Sequence, residues 1–153
     1  GAMREFVRED AAQLDRPHVS PDDRWRAFRR VIGTSAKTHV VPFAAGRRTA
    51  PDAWPAVDEP TTTGRPAGWS LDSRTLYLLL DADGFRCLWG QRIDPGTGLP
   101  IGAPFLVHHF HRLVALANAV STTFGNAVTT NGFVYENRNI SGNLWRLVRP
   151  AQK

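Results

Sequence analysis

The densest concentration of residue types that could do chemistry is His108-His109-Phe110-His111. On an extended strand side chains alternate, so His109 and His111 share a face while His108 points the other way. Two imidazoles on one face supply half of a zinc or nickel site. No cysteine or carboxylate nearby in the sequence completes it, so a structural role is expected and no metal is assigned. Asp81-Ala82-Asp83-Gly84 has the opening of a calcium loop, but Arg92 stands where the bidentate glutamate at the loop's twelfth position belongs. A hairpin turn accounts for the same four residues: the aspartates can accept from nearby backbone N–H groups and Gly84 can take a positive φ. Serines, aspartates and His18 could be combined into a hydrolase, yet there is no Gly-x-Ser-x-Gly elbow. Asp94-Pro95-Gly96-Thr97-Gly98 lacks the Lys-Ser/Thr ending and the following helix of a phosphate loop. No catalytic residue and no cofactor is therefore expected. Of the five tryptophans, Trp25, Trp89 and Trp145 read as packing residues, whereas Trp54 and Trp69 stay open as carbohydrate platforms.

The elements that would carry these residues are short strands. The chain has 153 residues, 42% apolar and 22% charged, enough for one soluble globular domain without disulfide help. Eleven prolines and thirteen glycines spread along it predict many turns. The longest apolar run, Leu76 to Leu80, is strand-sized and far short of the roughly 20 residues that span a bilayer. No membrane partner is expected. Gly1-Ala2-Met3 reads as the scar of a cleaved expression tag. The single Cys87 reads as a buried small hydrophobe, and with no visible signal segment it favours a cytoplasmic location. The formal charge of +5 permits a nucleic-acid partner, but the arginines are scattered singly or in pairs, as at Arg29-Arg30 and Arg47-Arg48, which argues against one.

Laying the chain over itself reveals an internal repeat with an offset of 50 residues. Ser20-Pro21-Asp22-Asp23-Arg24 falls on Ser70-Leu71-Asp72-Ser73-Arg74, Phe28 on Leu78, His39 on Trp89 and Phe43 on Ile93. Val7 falls on Val57, and Arg16-Pro17 lies one residue out of step with Arg65-Pro66. Arg74 to Leu80 and Phe85 to Ile93 have strand composition, and Pro104 to His111 reads as an outer strand, where proline is tolerated. A period of this size suits one four-stranded blade of a β-propeller.

With strands named a to d from the centre outward, Arg4 to Asp10 is a d strand. The first blade spans 16–60, with a near His18, b near Arg24 to Val31, c near Thr38 to Phe43 and d near Trp54 to Asp58. The second spans 65–112, with a near Gly68 to Ser70 and d at Phe105 to His111. The tail, 113–150, contributes a and b around Ala127 to Glu136 and c at Asn143 to Val148. The expected fold is all-β: three four-stranded blades, half of a propeller. Because the chain opens with a d strand and its last blade lacks one, a homodimer of six blades is expected, each chain lending its 4–10 strand to the other.

Ser20-Pro21-Asp22, Trp69-Ser70-Leu71-Asp72, the run Asp81 to Trp89 and Ser141-Gly142-Asn143-Leu144-Trp145 resemble the WD40-like repeats of TolB-like β-propellers. The likeness is nearest to the C-terminal propellers of bacterial serine/threonine kinases and winged-helix regulators. It implies a non-catalytic scaffold that binds a protein or small ligand, with a lectin-like sugar binder, or a fragment without activity of its own, as the alternatives. By the same analogy a ligand would sit where loops surround the channel, near Arg16, His18, Arg65, Trp69 and Arg112, residues that otherwise read as solvated loop ends. Two departures stand out. The usual Ser-Pro-Asp-Gly turn ends in Asp23 and in Ser73, and Arg26 occupies an aliphatic position, which requires a strand end or a partner such as Asp22 or Glu59.

Overall fold

The computed structural model describes residues 5–43, 50–57, 64–82, 85–109, 126–129 and 132–135. Their regular structure is antiparallel β, with no α-helix among them and one 3-10 turn at Pro51–Ala53. Strands β1 (Gln13–Val19), β2 (Trp25–Ile32) and β3 (Ser35–Pro42) form a first sheet in that order. The second sheet runs β4 (Arg65–Trp69), β5 (Thr75–Ala82), β6 (Phe85–Ile93), β7 (Pro100–His109), and β8 (Asn126–Thr129) pairs with β9 (Gly132–Tyr135) in a third. Neighbours in sequence are neighbours in each sheet, as short turns between antiparallel strands dictate.

The first two sheets repeat at the level of single hydrogen bonds. Ser20 Oγ donates to Asp22 Oδ1 at 2.6 Å and Ser70 Oγ to Asp72 Oδ1 at 2.6 Å. Each serine Oγ then accepts a backbone N–H at 2.9 Å, from Trp25 and from Thr75. The Asp22 and Asp72 carboxylates take the N–H of Arg24 and Arg74 at 3.1 Å. Serine three residues before the left-handed position and aspartate just before it thus close the same turn twice. Asp23 (φ 57°) and Ser73 (φ 59°) hold the left-handed position, a conformation that favours glycine. Beyond the turns, β2 pairs with β3 from Trp25↔Pro42 to Ile32↔Ser35, and β5 with β6 from Thr75↔Arg92 to Ala82↔Phe85, the same register throughout.

The sheets stack in one sense. Trp25, Ala27 and Val40 on one face of the first sheet, with Val57, form a core with Trp69, Leu76, Leu78, Leu80 and Ile93 of the second. Leu76 and Leu78 correspond to Arg26 and Phe28, which lie on the opposite face of the first sheet. Unlike faces therefore meet, and the first sheet keeps its own Arg26–Phe28 face for another covering. Phe28, Val41 and Trp54 form a second cluster there, against which Phe6, Val7 and Leu14 pack. Bonds between turns lock the stack: Asp22 N donates to Ser73 Oγ at 3.1 Å and Trp25 Nε1 to Pro95 O at 3.4 Å. Gly98 (φ 72°) lies so close that a Cβ would be driven into the Trp25 ring.

Three strand expectations need correction. Among the described residues the fourth strand of the first sheet is a single bridge, His39↔Ala56, flanked by Val40 N–H to Pro55 O and Val57 N–H to Thr38 O. Pro51 and Pro55 bring no N–H, which leaves little ladder to extend. Residues 5–10 form no strand in the structure and lie against the Arg26–Phe28 face instead. Finally, β7 starts at Pro100 rather than Pro104 or Phe105, because its register slips between Gly90 and Arg92. The slip turns carbonyls inward, and the buried Gln91 amide donates to Ile101 O and Gly102 O at 3.1 and 3.2 Å. The third-blade strand expected at Asn143 to Val148, and Trp145 with it, lie outside the described residues.

Candidate functional site

The first strands of the first two sheets, β1 and β4, carry Arg16, His18, Arg65 and Trp69. β1 lies against β4, and β4 against β8, so the first strands of successive sheets run side by side. Each of β1 and β4 is broken by a bulge, between Asp15 and His18 and between Pro66 and Gly68. The proline in each lacks a ladder donor, and Arg16 (φ 53°) and Gly68 (φ 148°) absorb the extra residue in backbone conformations that favour glycine. At Gly68 a Cβ would meet Val128 Cγ2 of β8 at 3.2 Å, which explains a glycine at this approach.

The bulged strands are neighbours, and His18 meets Trp69 across them. Trp69 Nε1 donates to His18 O at 3.1 Å, tying β4 to β1. Burial holds the His18 imidazole below its ordinary pKa, opposed by a hydrogen bond to the Pro66 backbone and reinforced by the nearby Arg16 charge. His18 is thus held toward its neutral form, able to donate and accept a hydrogen bond at neutral pH. The expectation of solvated loop ends needs correction for two of the set: Arg65 and Trp69 are buried, at 9% and 4% exposure. Trp69 sits in the core between the sheets, because the bulge turns the end of β4 into the stack. The matching Arg-Pro pairs also fail to superpose. Asp15 faces Arg29 as Arg65 faces Leu79, so Arg65 corresponds to Asp15 rather than to Arg16. Arg112 lies outside the described residues, as does His111.

Elsewhere the structure joins residues that the sequence separates. Cys87 is buried and its Sγ lies 3.1 Å from His109 Nδ1, across the β6–β7 pair. Among the described residues no group of three or more His, Cys, Asp or Glu is placed to hold a metal. Trp54 is buried at 6% exposure under Phe28 and His39, so neither it nor Trp69 offers a platform for a sugar. No helix of the described residues is long and apolar enough to cross a membrane.

Arg26 is the residue whose setting the sequence reading left open. Neither suggested carboxylate meets it in the structure: Asp22 is taken by Ser20 and the Arg24 backbone, and Glu59 lies outside the described residues. Two aromatic rings do. The guanidinium carbon stands 4.2 Å from the Phe6 centroid and 4.6 Å from that of Phe43, and the ring centroids are 5.4 Å apart. The three distances place both rings to one side of the cation, within the range of a cation–π contact. Burial lowers the Arg26 pKa, and its Nε is buried without a hydrogen-bond acceptor. Phe6 and Phe43 were read only as strand residues, because each reaches Arg26 only once the chain folds back. The signal that pointed here was the arginine in an aliphatic position.

Comparisons with protein-family models, with curated proteins and with solved structures found no match.

Proposed function

We propose that this chain is half of a six-bladed β-propeller, completed by a second copy, and that the ring is a non-catalytic scaffold binding a protein or small ligand. The observation that carries this reading is the residue-for-residue recurrence of turn and hairpin between two sheets that stack unlike face to unlike face. Head-to-tail contacts of that kind generate a ring when the rotation closes and an open array when it does not. The side-by-side inner strands β1, β4 and β8 support a radial arrangement. The first sheet's other face, whose Phe28 and Val41 answer to the Leu78 and Gln91 that the second sheet buries, carries Phe6 and Val7, so a second copy would have to close over that segment. The resemblance to TolB-like repeats agrees, and within that reading the bulged inner strands around His18 are the channel wall.

Light scattering coupled to size exclusion tests the ring. The expected mass is twice the 17.0 kDa of one chain. A monodisperse, stably folded monomer would overturn the ring and the channel with it. The sugar-binding alternative loses support from the burial of Trp54 and Trp69, and a glycan array without response would close it.

A further inference from the structure

We infer that the Arg26 corner is a binding site for a small carboxylate with an apolar, preferably aromatic, body. A cavity of about 380 Å³ opens between residues 5–7 and the first sheet. Arg26 lines it together with Phe6, Val7, Leu14, Pro17 and Phe28. A mostly apolar depression of this size with one placed charge is the usual form of a small-molecule site. Every lining residue comes from one chain, so the site is complete in a single copy, and closure of the proposed ring over this face would cover it.

The charge around the cavity is arranged for an anion. Two carboxylates also line it, and both have cations of their own. Asp15 accepts from Arg29 Nε at 2.8 Å and from its terminal nitrogen at 2.6 Å, while Glu5 lies 4.0 Å from the Arg8 guanidinium. Arg26 meets only rings among the described residues. A guanidinium has five N–H donors, and an aromatic ring over the cation satisfies none of them in its plane. A carboxylate matches that donor edge in a two-pronged pair, with its apolar body lying along Phe28, Leu14 and Val7.

The internal repeat shows what the site gives up. The residue corresponding to Arg26 in the second sheet is Leu76, fully buried in the core between sheets. An aliphatic side chain is therefore compatible with this backbone, and arginine here brings an unsatisfied buried N–H that leucine would not. A bound anion supplies the missing acceptor.

Isothermal titration of the full chain with benzoate and with 3-phenylpropionate tests the site, with benzyl alcohol and inorganic phosphate as the other arms. Saturable binding of an aryl carboxylate, absent for the neutral alcohol and weaker for phosphate, is the expected result. Arg26→Leu should keep the fold, followed by its circular dichroism melt, and weaken binding by about tenfold or more. Should that variant fail to fold, Arg26→Gln keeps the stem, removes the charge and carries the same expectation. Absence of saturation with either carboxylate, unchanged affinity in the arginine variant, or phosphate binding as tightly as benzoate overturns the inference. Mass measured on the same samples separates the two readings: carboxylate binding by a monomer retains the site and defeats the ring.

Discussion

Asp23 and Ser73 hold a backbone conformation that L-residues adopt at a cost, and they differ in what they receive for it. Ser73 is buried and its Oγ accepts the Asp22 N–H that links the two turns, whereas Asp23 is exposed. Asp23→Gly should therefore stabilise the fold by about 0.5–1 kcal/mol in a urea melt, while Ser73→Gly gains nothing. The paired serines make a second check. Ser20→Ala and Ser70→Ala each remove the same two hydrogen bonds, and each should cost about 1–2 kcal/mol, equal within error. The titrating groups give a third. For Asp22, burial is outweighed by bonds from Ser20, the Arg24 backbone and Ser73; for Asp72 the Ser70 hydroxyl leads. Both carboxyls are held below their unfolded pKa, so their stabilisation is present above about pH 4 and is lost as pH falls further. His39 and His18 are also held down, chiefly by burial. The unfolded chain then takes up protons first, and stability declines as pH drops below about 6.5. The melting temperature should fall between about pH 7.5 and pH 5, and the double substitution His18→Gln, His39→Gln should flatten that slope. At this scale the sequence showed the turn serines, the aspartates and the anomaly at Arg26, because turn chemistry is local. It could not show the Cys87–His109 contact or the Phe6–Arg26–Phe43 corner, which join residues distant in sequence.

Segment 5–10 shows how an element with no ladder of its own is held. Glu9 accepts from Arg30 Nε at 2.6 Å and from its terminal nitrogen, and its side chain is only 9% exposed. The Arg30 bond leads in holding the Glu9 carboxyl below its usual range, and that pair stands where the second sheet has the apolar Leu80. Removing the residues before Ala11 strands Arg30 and uncovers Phe28, Val41 and Trp54. The expected loss is about 2–4 kcal/mol by urea unfolding. If stability is unchanged, the segment does not hold this face in solution. Strand existence was legible from composition and from the repeat: β2, β3, β5 and β6 all fall on expected strands. Strand ends were not, since the single bridge at Ala56 and the slip in β7 depend on prolines and on a buried glutamine acting across the sheet.

For the whole molecule, a tandem duplicate of the chain, joined by a flexible linker, offers a test of closure that concentration cannot confuse. It should sediment as a single-chain particle with the dimensions expected of the proposed two-chain ring, with no tendency to associate further. A duplicate that forms higher species would show that the faces meet without closing. The scales divide by the range of the forces behind them. Sequence alone determined the β class, the offset of 50 residues and the turn that recurs with it, because a serine, an aspartate and a left-handed residue close a turn from neighbouring atoms. Only tertiary structure decided that Arg65 and Trp69 are buried, that the Arg-Pro pairs occupy unlike places in their bulges, and that Arg26 faces a cavity. Those outcomes turn on which face of one sheet packs on which face of the next, and one extra residue in a strand reverses the face without altering composition.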